Sequence, residues 1–348
     1  MIREGLTYDD VLLVPQHSTV KSRSKIDISV RFGRGHKYQY QHPIIPANMK
    51  TITGKEMAEV VAQSGGLAIL HRFMPVEEQL QTVEYLVNHY GSKHVAVSVG
   101  VQNSDKTNIR KFIDLGVDIF CIDIAHGDSQ HCEEMVAFIA DADKHNTIIA
   151  GNVATGRGAE RLWKAGATAV KVGVGPGSLC TTRIETGNGV PQLTALMDVA
   201  QSRQEMLANP YKSFNLLADK PMQIIADGGI KNAGDVVKAL CFADMVMVGN
   251  LFAGCVETPG QVLSINGQSF KEYVGSSTHK TNHVEGVAAI VSAKGRFQDV
   301  LTKLLEGLRS GCSYQGANNL VELRDNPEFI RITNAGLRES HPHDVILK

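Results

Sequence analysis

The sequence has no run approaching the roughly 20 apolar residues that a bilayer span needs. Its opening segment, MIREGLTYDDVLLVP, holds no apolar core long enough for a secretory signal. It has no excess of charge either. The 35 basic and 36 acidic side chains leave a formal net charge of -1, so no global field draws the chain to nucleic acid or to an anionic membrane. The six cysteines, at positions 121, 132, 180, 241, 255 and 312, form no CxxC pair and no zinc-like spacing. Low-complexity segments are missing, as is any compositional break that would mark a second domain. What these absences leave is a cytoplasmic protein with free thiols and a small-molecule ligand, with neither nucleic acid nor membrane as partner. With 43% hydrophobic residues in 348, the chain can bury a large core.

Eight short β-branched runs alternate with amphipathic segments. They are HPIIPANM (42–49), LAIL (67–70), HVAVSVG (94–100), DIFCIDIA (118–125), TIIAGNV (147–153), AVKVGVG (169–175), MQIIADGG (222–229) and MVMVG (245–249). Segments such as 54–64, 105–115 and 155–165 carry the helical period between them. Continuous apolar strands joined by helical crossovers make a parallel sheet, and eight repeats predict closure into a single α/β (β/α)8 TIM barrel over residues 1–348. Two stretches are longer than one βα unit: a loop after strand 6, centred on 176–196, and a flap after strand 8, over 255–295. Both leave from the C-terminal strand ends, where barrel enzymes keep their chemistry. Within the flap, ETPGQVLSINGQSFKEYVG reads as a hairpin turning at Asn266-Gly267, and STHKTNHVEGVAAIVSAKG reads as a polar, mobile lid. The segment FQDVLTKLLEGLRSG supplies a last helix that closes the barrel.

Chemistry concentrates in two places. ADGGI (226–230) and VGN (248–250) end strands 7 and 8, where Gly228, Gly229 and Gly249 let backbone N–H groups approach a phosphate. Asp227 repels phosphate at close range and instead suits a ribose hydroxyl pair. In GVGPGSLCTTR, Gly175, Pro176 and Gly177 shape a loop that ends on Cys180 among hydroxyls. A thiolate there is a nucleophile for an electrophilic carbon, and inward carbonyls suit a potassium-sized cation. Cys121 and Cys241 sit in apolar runs and read as core filler. His131 reads as packed or solvated, whereas His126, close behind Asp123 at a strand end, is a candidate for lining a cofactor slot.

GVGPGSLCTTRIETGNGVPQ resembles the active-site loop of the IMP dehydrogenase and GMP reductase family. LTYDDVLLVPQHS, PIIPANMKT, IDIAHGDS, AGNVAT, IIADGGI and MVMVGNLFAG extend the resemblance in order along nearly the whole chain. The resemblance implies a purine monophosphate, GMP or IMP, bound over Cys180, which forms a covalent adduct at purine C2. It implies that Ser178, Asp227, Gly228, Gly229, Gly249, Asn250, Ser276, Ser277 and Gly286 hold the substrate. The carbonyls of Gly175, Gly177 and Cys180 would hold K+. Asp123, Ile124 and Ala125 would lie beside the nicotinamide, with Arg72 as a basic cofactor contact. Ser22 and Arg23 would reach a neighbouring subunit's cofactor, which implies a homotetramer.

Between the two activities, several features resemble the reductases. Only HRFMPVEEQLQTVEYLVNHYGSK separates LAIL from HVAVSVG, so the regulatory nucleotide-binding modules usual in dehydrogenases are absent there. Between Tyr273 and Lys294 there is no arginine and no further tyrosine, so the dehydrogenase's water-activating Arg-Tyr pair has no counterpart. Glu285-Gly286 resembles the reductase flap, in which the glutamate works with the loop threonine, here Thr182. The expected activity is therefore NADPH-dependent reductive deamination of GMP to IMP and ammonia. One feature points to the dehydrogenases, which oxidise IMP with NAD: the tail AGLRESHPHDV, in which Glu339, Ser340 and His341 would complete a neighbour's cation site. Asn282, Ala289 and Ile290 depart from the reductase flap and keep open a third possibility, a nucleotide-binding homologue with weak turnover.

Overall fold

A computed structural model describes residues 2–209, 221–275 and 286–345. Eight parallel strands form one sheet that is nearly closed as a barrel: β1 (Ile44–Pro46), β2 (Ala68–Leu70), β3 (Val95–Val99), β4 (Ile119–Asp123), β5 (Thr147–Val153), β6 (Ala169–Val172), β7 (Gln223–Asp227) and β8 (Met245–Val248). The ladder runs β1-β8-β7-β6-β5-β4-β3-β2, and β1 and β2 lie side by side at the seam. All eight strands fall inside the runs expected from the sequence. Every residue of β3, β6 and β8 is buried, because one face meets the barrel interior and the other meets helices.

The longer helices among the described residues are α1 (Lys55–Gln63), α2 (Val76–Tyr90), α3 (Asn103–Asp114), α4 (Gln130–Ala142), α5 (Gly156–Ala165), α6 (Gln192–Ala208), α7 (Ala233–Leu240) and α8 (Phe297–Tyr314). Their sequences carry the start signals that local physics requires. Thr155 caps α5 by accepting from Gly158 N, and Asn232 caps α7 by accepting from Asp235 N. In α8, the expected closing helix, Phe297, Leu301, Leu304, Leu308 and Cys312 are buried at helical spacing. Gly311 lets α8 approach α7 closely, since a Cβ there would stand 2.4 Å from a Val237 methyl.

Before the barrel, Val30–Phe32 and Tyr38–Tyr40 pair as a hairpin. The Gln223 side chain at the start of β7 donates to Arg31 O at 2.9 Å and accepts from Gly33 N at 2.9 Å, which ties that hairpin to the N-terminal end of the barrel. The strand Val11–Leu13 pairs antiparallel with Phe329–Arg331.

The flap departs in part from expectation. The hairpin turns at Asn266-Gly267, with φ values of +51° and +77°, and joins Leu263–Ile265 to Gln268–Val274. A third strand, Ala288–Ser292, then pairs antiparallel with Gln268–Val274. Of the segment 277–295, read from the sequence as a polar, mobile lid, residues 277–285 lie outside the described residues and 288–292 form this strand. The physical reason is that AAIVS offers β-branched residues to an open hairpin edge. No described helix is long and apolar enough to cross a membrane.

Candidate active site

The C-terminal ends of the strands surround a cavity of about 370 Å³. Four adjacent strands, β4 to β7, each place one polar side chain there: Asp123, Asn152, Lys171 and Asp227. Lys171 is only 3% exposed, and its ammonium bridges Asp123 Oδ1 at 2.9 Å and Asp227 Oδ2 at 2.6 Å. Asn152 Nδ2 donates to the same Asp227 oxygen at 2.8 Å and to Gly173 O at 2.7 Å. Burial opposes the charge on Lys171, but the two carboxylates override it and hold the ammonium well above the usual lysine value. Burial likewise opposes the charge on Asp123, yet Lys171, with Arg72 and Asn48 behind it, keeps that carboxyl below its ordinary value. Arg72, from the end of β2, also donates to Asp123 O at 3.3 Å.

The loop after β6 brings the thiol to this cavity. Gly173, at φ +155°, passes so close to β7 that a Cβ would stand 2.0 Å from Asp227 O, so only glycine lets the chain leave β6 there. Cys180 N donates to Gly177 O at 3.0 Å, closing a turn. The Cys180 thiol, half-buried at the cavity wall, donates to Thr182 Oγ1 at 3.1 Å. Leu179 anchors the loop from below, and its carbonyl accepts from Val287 N of the flap at 3.2 Å. The assembled site has a thiol with a hydroxyl neighbour, a buried cation between carboxylates, and a guanidinium at one side. These are the groups needed to hold a polar, ribose-bearing ligand against a nucleophile.

A profile described as the IMP dehydrogenase / GMP reductase domain matches residues 5–343. The chain belongs to this family. Its members are oxidoreductases of purine nucleotides that use a nicotinamide cofactor. The chain is 38% identical to a GMP reductase of Streptococcus agalactiae serotype III, over 94% of this chain and 95% of the relative. It is 31% identical to an inosine-5'-monophosphate dehydrogenase of Nitrosopumilus maritimus, over 99% of each. It is 39% identical to the corresponding enzyme of Chlorobaculum parvum over 83% of this chain, a match that spans 60% of that relative.

Of the residues expected from the sequence, Cys180, Thr182, Asp227, Asp123, Ile124, Ala125, Arg72 and Gly175 all line the cavity. Ser178 and Gly229 line a second pocket of about 260 Å³ beyond the Pro176 loop, with Tyr8 and Lys231. Gly228, at φ +93°, stands between the two, where a Cβ would lie 2.9 Å from Pro176. Gly249 sits under the Tyr273 hydroxyl, and the Asn250 carbonyl accepts from Lys294 Nζ. Gly286 packs against Gly275 at the flap's root. Gly177 is exposed in its loop. Ser276, Ser277 and Glu285 lie outside the described residues. Ser22 and Arg23, expected at a neighbouring subunit's cofactor, lie away from this chain's own cavity, and Arg23 stands over the Tyr314 ring at the C-terminal end of α8. His126 is exposed and off the cavity wall.

Sequence reasoning missed Lys171 and Asn152. The signal for Lys171 was present: a lysine between valines in a strand buried on both faces needs a paired anion.

Proposed function

We propose that this chain is a GMP reductase that removes the 2-amino group of GMP with NADPH. The observation that carries the proposal is the Cys180–Thr182 pair, 3.1 Å apart, on the wall of the cavity that also presents Asp227 and Asp123. In this reading Asp227 accepts from the ribose hydroxyls, and the glycines ending β7 and β8, with Ser178 and Asn250, take the phosphate. The Cys180 thiolate attacks purine C2. Thr182 and Glu285 pass a proton to the departing amine, and ammonia leaves an adduct between Cys180 and the purine. When bound, the nicotinamide cofactor supplies the hydride for C2, and the C2–sulfur bond breaks to release Cys180 as the thiolate and leave IMP. The chain fits such a group, because Arg72 and Asp123 line the cavity and give it a cationic and an anionic contact. The same reading includes a K+ ion held by the carbonyls of Gly175, Gly177 and Cys180.

Two further observations favour the reductase. The reductase of S. agalactiae aligns along almost its full length over 335 residues. The N. maritimus dehydrogenase needs an alignment of 488 residues, longer than this 348-residue chain, to cover the same domain. Dehydrogenase activity remains the second reading, favoured by the Glu339-Ser340-His341 tail. Loss of NADPH absorbance on adding GMP is the expected outcome. Formation of NADH from IMP and NAD, with GMP inert, would replace the first reading by the second, and no turnover in either assay would leave a nucleotide-binding homologue.

A further inference from the structure

We infer that Lys171 is a positioning residue that couples two halves of the cavity, so that nucleotide and dinucleotide bind cooperatively through a single buried ammonium. The inference rests on the functional reading above, in which Asp227 faces the nucleotide and Asp123 the cofactor.

The geometry is specific. Asp123 and Asp227 end strands that are three places apart in the ladder, and Lys171 spans the gap from β6 with both carboxylates in direct contact. A lysine ammonium has three donors, and two of them are committed here. Each carboxylate offers about four lone-pair sites, so each keeps acceptor capacity for a ligand hydroxyl or amide. Asn152 fixes the Asp227 end from β5, and Arg72 stands behind the Asp123 end. The two carboxylates therefore have correlated orientations. A ligand hydrogen-bonded to Asp227 fixes that carboxylate, through it the ammonium, and through the ammonium the Asp123 acceptor. The ordering cost is met once, so the second ligand meets an acceptor already in place, and the coupling is positive. Chains of charge-assisted hydrogen bonds in a low-dielectric site strengthen one another in the same sense. Without the lysine, two carboxylates would face one cavity and the link between them would be repulsion alone.

The test is calorimetric titration of the full chain with GMP, with NADP+, and with each in the presence of the other. No hydride is transferred in this pair, because the oxidised cofactor has none to give, and a Cys180→Ala background, in which no adduct forms, keeps the deamination step out of the measured heat. In the wild type each ligand should tighten the other by the same factor, as linkage requires. In Lys171→Met that factor should fall by about fivefold or more, fivefold being the low end of typical coupling between sites. Contact between the two bound rings is common to both proteins, so the difference isolates the lysine, and a merely structural role would not move it. If Lys171→Met does not fold, Asp123→Asn, which keeps the shape of the site, should lower the factor to the same extent while leaving GMP alone bound within about threefold, under 1 kcal/mol. An unchanged factor in either folded variant overturns the inference and leaves the function intact. Failure of the wild type to bind GMP or NADP+ overturns the functional reading and this inference together.

Discussion

The barrel mouth and the sheet that follows β8 each shield one lysine from solvent and hold it in opposite ways. Lys171 and Lys271 are both 3% exposed. Lys171 is met by two full negative charges and sits well above the ordinary lysine value. Lys271 donates to the carbonyls of Cys255, Val256 and Thr258, at 3.2, 3.3 and 2.5 Å. Burial drags it below the ordinary value, and Cys255, Glu56 and Glu257 offset that only in part. A charge opposed by charges keeps its proton and ties the orientations of its partners together. A charge opposed by dipoles pins a loop but costs free energy to keep ionised. The first arrangement suits a site that must present carboxylates in one orientation; the second suits a sheet that only has to stay attached.

The largest effect that separates the two regions is on turnover. If the mouth carries the chemistry, Cys180→Ala should lower turnover of GMP by on the order of 10⁴-fold or more, as loss of a covalent nucleophile does. GMP affinity should stay within about tenfold, because phosphate and ribose contacts supply most ground-state binding. Steady-state rates with NADPH, together with calorimetric GMP affinity, check this. Turnover that survives in Cys180→Ala would remove the covalent mechanism.

Next in size is stability at the mouth. Lys171→Met leaves two carboxylates without their cation, and breaking a buried pair from one side typically costs about 3–5 kcal/mol. Urea midpoints at neutral pH measure it. A shift near zero would mean that Asp123 and Asp227 are relieved by water or Arg72, and the contrast between the two lysines would collapse.

That contrast also bears on what could be read from the chain itself. The eight strands were legible because runs such as HVAVSVG and MVMVG are buried on both faces, and a continuous apolar run is a local signal. The Asn266-Gly267 turn was legible because positive φ at both positions selects those residue types. Cys180 stood out because its segment is too rich in glycine and hydroxyl side chains to read as core. Lys171 was readable as an anomaly, but its partners were not: Asp123 and Asp227 lie 48 residues before it and 56 after it in sequence, and only barrel closure brings them to one point. The strand Ala288–Ser292 was hidden for a related reason. Its alternating exposure fits a sheet edge, yet the edge it completes is supplied by a hairpin that must form first. The second pocket, with Ser178 and Gly229, was likewise invisible, because Pro176 separates it from the thiol only once the loop has folded.

The smallest effect falls on Lys271 and, unlike that on Lys171, changes with pH. Lys271→Met leaves three carbonyls short of a donor but also removes a buried charge, so the net loss at neutral pH should be about 1–2 kcal/mol. The sign of the pH dependence follows from where each lysine titrates. Lys271 loses its proton in the folded chain before it does in the unfolded chain. Over the window from its lowered value up to about 10.4, the unfolded state binds more protons, and stability rises with pH. Lys171 is raised, so its contribution is complete below about 10.4 and is lost only above that. Urea midpoints from neutral pH to about 10 should therefore show the deficit of Lys271→Met widening as the wild type gains stability, while the deficit of Lys171→Met stays flat. Parallel pH profiles for the two variants would mean that the two lysines are neutralised alike, and the distinction between charge-held and dipole-held burial would be lost.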